Sequence, residues 1–145
     1  MISFKEFVDK YGLKDEATSN VKIKEIIDIL KINCGIYMRD DKFTTKSEIV
    51  NLHPTKGTHW VLFTEGTEGT PCASRTGNFY FDSYGCPPPV NIIKQIGKGQ
   101  YSEYQIQKDD SYCAAYCLYV LYLTQIIGFK NAVLNLYYQT FKPLK

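Results

Sequence analysis

Gln107-Lys108-Asp109-Asp110-Ser111-Tyr112-Cys113 runs directly into the apolar stretch Ala114 to Ile127. A polar loop therefore becomes a helix at a thiol, six residues after a glutamine. Unpaired backbone N–H groups and the positive end of the helix dipole gather at such a point and favour thiolate over thiol. The Gln107 carboxamide can donate a hydrogen bond. With the backbone N–H of Cys113 it is suited to hold the oxyanion of a tetrahedral intermediate in acyl transfer. The helix, read from Tyr112 to about Ile127, is apolar almost all round, which predicts a central helix covered by other elements.

Buried thiols are commonly inert packing residues, so the partners of Cys113 decide its meaning. Upstream, Gly57-Thr58-His59-Trp60-Val61-Leu62-Phe63 sets a histidine at the mouth of an aromatic and branched run that reads as a buried strand. A second such run, Asn78-Phe79-Tyr80-Phe81-Asp82-Ser83-Tyr84-Gly85, ends in a carboxylate and a glycine turn. Adjacent strands would bring His59 beside Asp82, the carboxylate fixing the imidazole tautomer while the other ring nitrogen faces Cys113.

Gly-Thr-His-Trp, then Phe-Asp-Ser-Tyr-Gly followed by prolines, then Gln107, Cys113 and Cys117 together resemble the adenain-like cysteine proteases. These are the capsid-maturation proteases of adenoviruses and their relatives in virophages and polinton-type elements, in one superfamily with the SUMO and ubiquitin-like-protein proteases. The likeness covers roughly Cys34 to Leu123, including Gly35-Ile36-Tyr37-Met38-Arg39-Asp40 ahead of the histidine. It implies a papain-like, adenain-like fold with His59 as general base, Asp82 orienting it, Cys113 as nucleophile and Gln107 in the oxyanion hole. It also implies cleavage after small residues of Gly-Gly or Gly-Ala type, in capsid and core precursors. The protease would then act in the host cytoplasm or viral factory and be packaged in the virion. An activating peptide is an implied partner; DNA is less so, because the net charge is only +2 and no dense basic run occurs. Two departures stand out. Ala114 replaces the glycine that usually follows the nucleophile, and its methyl is expected to narrow the carbonyl's approach. Thr64 to Gly77, rich in Gly, Thr and Ser, reads as a longer hairpin loop than the family's.

The rest of the chain predicts a single α+β domain over 1–145, a mainly antiparallel sheet packed on the helix that bears the nucleophile. With 145 residues, 44% of them hydrophobic, one ordinary core can form but not two. Ser3 and Glu6 suggest a capping box for a helix through Tyr11 that Gly12 ends. Asn20 is a candidate cap for a helix carrying Ile23, Ile26, Ile27 and Leu30. Strands are expected near Gly35 to Met38, Glu48 to Leu52, Trp60 to Thr64 and Asn78 to Asp82, with a fifth near Ser102 to Gln107. Pro87-Pro88-Pro89 leads into a short helix, Val90 to Ile96, closed by Gly97. Gly128 ends the central helix, and a last amphipathic helix runs from Asn131 to Phe141.

No run reaches the about 18 to 20 apolar residues of a membrane span, and the start shows no signal-peptide pattern. Five cysteines without disulfide or metal spacing fit a reducing, intracellular compartment, and neither metal nor organic cofactor is expected. A monomer is expected. His53 rivals His59 but precedes Pro54 in a turn-like stretch. Asp109 and Asp110 are read as helix-start acids, Cys117 as a packed thiol, Cys34 and Cys86 as packing or loop residues, and Cys72 as an exposed, oxidisable one. Trp60 is expected to shield the imidazole or pack beneath it. Three alternatives use the same residues: a deconjugating protease for a ubiquitin-like modifier, an acetyltransferase relative, and an inactive homologue kept as a structural or binding module.

Overall fold

The structure, a computed structural model, describes residues 1–52, 59–67, 76–96, 100–108 and 110–140. His53, Cys72 and Asp109 lie outside the described residues, as do the closing Gly97 and the terminal Phe141. Chain order is α1 (Phe4–Tyr11), α2 (Asn20–Leu30), β1 (Cys34–Met38), β2 (Ser47–Asn51), β3 (Trp60–Thr67), β4 (Thr76–Phe81), α3 (Val90–Ile96), β5 (Gln100–Tyr101), α4 (Cys113–Ile127) and α5 (Phe129–Thr140). The α+β class is therefore as expected. No helix among the described residues is long and apolar enough to cross a membrane.

Local chemistry explains the first two helices. The Ser3 hydroxyl accepts from the Glu6 N–H while the Glu6 carboxylate accepts from the Ser3 N–H, so the capping box is complete. Such a cap stabilises a helix by about 1 kcal/mol. Gly12 closes α1 with φ 64°, a left-handed conformation open to glycine. The cap of α2 is Ser19, whose hydroxyl accepts from the Lys22 N–H, and not Asn20, which is already the first helical residue.

Five strands form one sheet in the order β1-β2-β3-β4-β5. The central pairs β2–β3 and β3–β4 are antiparallel, but both outer pairs, β1–β2 and β4–β5, are parallel, so the sheet is mixed and not mainly antiparallel. Alternation cannot reveal this, because side-chain period is the same for either strand direction. The fifth strand is also shorter and earlier than expected. It pairs only at Gln100 and Tyr101, and residues 102–107 leave the ladder to reach the site. Conversely, β3 and β4 pair beyond the predicted bounds, as far as Thr67↔Thr76, which takes much of the expected long loop into the hairpin.

Helix α4 lies on one face of the sheet. Cys113 through Leu121, with Leu123 and Thr124, are buried there among Ile49, Trp60, Leu62, Phe79 and Phe81, and α1, α2 and α5 complete the layer. Leu118, Leu121 and Leu123 are wholly inaccessible, each contributing about 2 kcal/mol of apolar burial. The other face carries a smaller cluster of Val50, Val61, Phe63 and Tyr80 under Ile92 of α3. This layering fixes the start of α4 beneath the start of β3, where the site forms.

Candidate active site

Each candidate side chain stands at the end of an element. His59 precedes β3, and its carbonyl accepts from the Leu52 N–H at 2.9 Å, so the β2–β3 pairing continues one step to hold its backbone. Asp82 follows β4 by one residue. Its backbone carbonyl accepts from the Gly85 N–H at 2.8 Å and its Oδ1 from the Tyr84 N–H at 2.9 Å, a tight turn for which Gly85 takes φ 78°. Cys113 is the first residue of α4, and the capping residue Tyr112 places no side-chain hydrogen bond in front of it.

These three ends meet. His59 Nε2 lies 2.9 Å from Asp82 Oδ1, with the two side chains 14% and 6% exposed. The imidazole is also hydrogen-bonded to Cys113. Burial works against a charged ring, but the hydrogen bonds to Asp82 and Cys113, and their negative charge, outweigh it and raise His59 to about 9. A protonated imidazole is thereby favoured at neutral pH.

Backbone groups of Trp60 seat the thiol. The residue lies beyond the last β3–β4 pair, Leu62↔Phe81. Its N–H donates to Cys113 Sγ at 3.5 Å, and Cys117, one helical turn on, donates its S–H to the Trp60 carbonyl at 3.3 Å. The indole is 2% exposed in the core and donates Nε1–H to the Thr18 carbonyl at 3.2 Å. Cys117 is fully buried, and burial, with the nearby Cys113 and Asp82 charges, pushes its thiol far above the usual range. Ala114 is 1% exposed and its methyl packs in the core cluster, away from the residues that line the cleft.

Gln107 is held more firmly than its sequence position suggests. Its Oε1 accepts from the Ser83 hydroxyl at 2.6 Å, its Nε2 donates to the Asp110 carbonyl at 2.6 Å, and its backbone N–H donates to the Ser83 carbonyl at 2.9 Å. Asp110 does not orient the histidine. Its carboxylate accepts from the Tyr112 N–H at 3.0 Å and the Tyr116 hydroxyl at 3.1 Å, which ties it to the start of α4.

A cavity of about 530 Å³ opens over His59, Asp82, Gln107 and Cys113, with Tyr84 and Ala17 among its walls. No family model matches this chain, and no curated protein does. Sequence reasoning missed two walls. Tyr84, 39% exposed, lies with its ring centroid 5.1 Å from that of the imidazole at 34°. It sits two residues from Asp82, a signal that could have marked it. The segment between α1 and α2 is the other: Thr18 receives the indole and Asp15 accepts from the Ser111 N–H. Nothing local to that segment announces it. Cys86 is exposed at the same cavity, while Cys34 packs against the core, its thiol pushed up to about 12 by burial and by Glu48. Among the described residues, no group of three or more His, Cys, Asp or Glu is placed to hold a metal ion.

Proposed function

We propose that this chain is a cysteine endopeptidase of adenain-like type that cleaves precursor proteins after small residues. The observation that carries the reading is one imidazole bonded to both Asp82 and Cys113, at a cavity that Gln107 also lines. In this mechanism the thiolate of Cys113 attacks the scissile carbonyl while Asp82 holds the His59 ring in place. The Cys113 N–H and the Gln107 amide receive the developing oxyanion. His59 then protonates the leaving amine, and water, with its proton taken by His59, releases the acyl group from the thioester.

The same resemblance extends the proposal to substrates, partners and place. Capsid and core precursors with Gly-Gly or Gly-Ala before the cut are the substrate class, and the enzyme works in the host cytoplasm or viral factory and enters the particle. The test is digestion of a diverse peptide library by the native chain and by Cys113→Ala, with new termini read by mass spectrometry. Cuts after Gly-Gly or Gly-Ala that vanish in Cys113→Ala are expected. A Cys113-dependent acetylation of lysine, or no Cys113-dependent product, would overturn the endopeptidase reading.

A further inference from the structure

We infer that Ser83 is a positioning residue for the oxyanion hole, acting by fixing which way the Gln107 carboxamide points. Its role presupposes the acyl-transfer chemistry proposed above. A carboxamide can turn over by half a rotation and exchange its oxygen for its nitrogen, so a useful donor must be locked. Two contacts do this here. The Asp110 carbonyl can only accept, so the atom 2.6 Å from it is the Gln107 nitrogen. The Ser83 hydroxyl, at 2.6 Å from the other end, then donates to the Gln107 oxygen. One Nε2 hydrogen is spent on Asp110, and the second remains for the cavity that Gln107 shares with Cys113.

The Ser83 side chain is wholly inaccessible, so water cannot replace its hydroxyl. Its carbonyl also accepts from the Ile106 and Gln107 N–H groups at 2.8 and 2.9 Å. Three bonds from one residue therefore register residues 106–107 against the turn after β4. Because Ser83 follows Asp82 directly, the carboxylate that orients the base and the hydroxyl that orients the oxyanion donor are set by one dipeptide.

The experiment compares two reactions of Cys113 in the native chain, Ser83→Ala, Gln107→Ala and the double variant. Alkylation by iodoacetamide needs the thiolate but forms no oxyanion, whereas acylation by p-nitrophenyl acetate passes through one. Expected is unchanged alkylation throughout, acylation slowed about 100-fold by Gln107→Ala and about tenfold by Ser83→Ala through misplacement of the donor. The double variant should be no slower than Gln107→Ala alone, since Ser83 acts through that amide. Ser83→Ala acylation at the native rate, with Gln107→Ala slow, would overturn the Ser83 role and leave the protease reading standing. Equal loss of alkylation and acylation in Ser83→Ala would show general disruption of the site and also overturn it. Equal acylation by the native chain and Gln107→Ala would remove the Gln107 donor and the Ser83 role with it, while the Cys113-dependent digestion decides the acyl-transfer reading separately.

Discussion

Removing the imidazole should change the pH dependence of folding stability in a way that reports the assembled site. His59 rises from an ordinary 6.5 to about 9 in the fold, where its neighbours oppose the effect of burial. Such a shift corresponds to about 3 kcal/mol favouring the protonated folded state. The side chain is only 14% exposed, so solvent screening takes little from that figure. The sign follows from a folded value above the unfolded one. Below about pH 6.5 both states hold the proton and the contribution is complete; above it the unfolded chain releases its proton first, and stability declines by about 1.4 kcal/mol per pH unit until the folded group also titrates near 9. The assay is urea unfolding of the native chain and His59→Gln in steps from about pH 6 to about pH 10. The stability difference between them should shrink by about 3 kcal/mol over that range. In Cys113→Ala the decline should be smaller and end at lower pH, because one of the two partners of the ring is gone. A difference that stays level across the range would refute the bonded, charged imidazole and the chemistry built on it.

Thiol reactivity gives a second prediction: with time-resolved mass spectrometry, iodoacetamide should label Cys113 in a His59-dependent manner while Cys117, sealed in the core, and Cys34, pushed up to about 12, stay unmodified. Gly85→Ala should destabilise the fold by about 1 to 3 kcal/mol in denaturant titration and slow Cys113 alkylation, because a Cβ there would sit 2.7 Å from the Glu103 carbonyl oxygen at φ 78°. Glu48→Gln should raise stability above pH 7 and leave it little changed near pH 4. Burial, against the hydrogen bonding of Thr45, lifts the Glu48 carboxyl from 4.5 to about 7, so the native fold loses stability as pH climbs between those values. An equal effect of Glu48→Gln at both ends of the range would contradict the buried carboxyl.

Features that depend on a few neighbouring residues were legible in the sequence. The capping box of Ser3 and Glu6, the glycine stop at Gly12, the aromatic runs after His59 and before Asp82, and the all-round apolar helix after Cys113 each carry their physical cause within a turn or strand. So were the candidate residues themselves, since a thiol at a helix start and an imidazole and a carboxylate at strand ends are local patterns. Contacts across the chain were decided only by the tertiary structure. The parallel direction of β1 and β5, the seating of Cys113 and Cys117 on one backbone residue of β3, and the Ser83 lock on Gln107 join segments far apart in sequence. The wall supplied by Ala17 and the Thr18 carbonyl that receives the indole were equally invisible, because their roles exist only once α1 and α2 pack beside α4. Sequence period reports which face of an element is buried. Packing determines what that face meets, and here that meeting turns three ordinary side chains into one charged, bonded site.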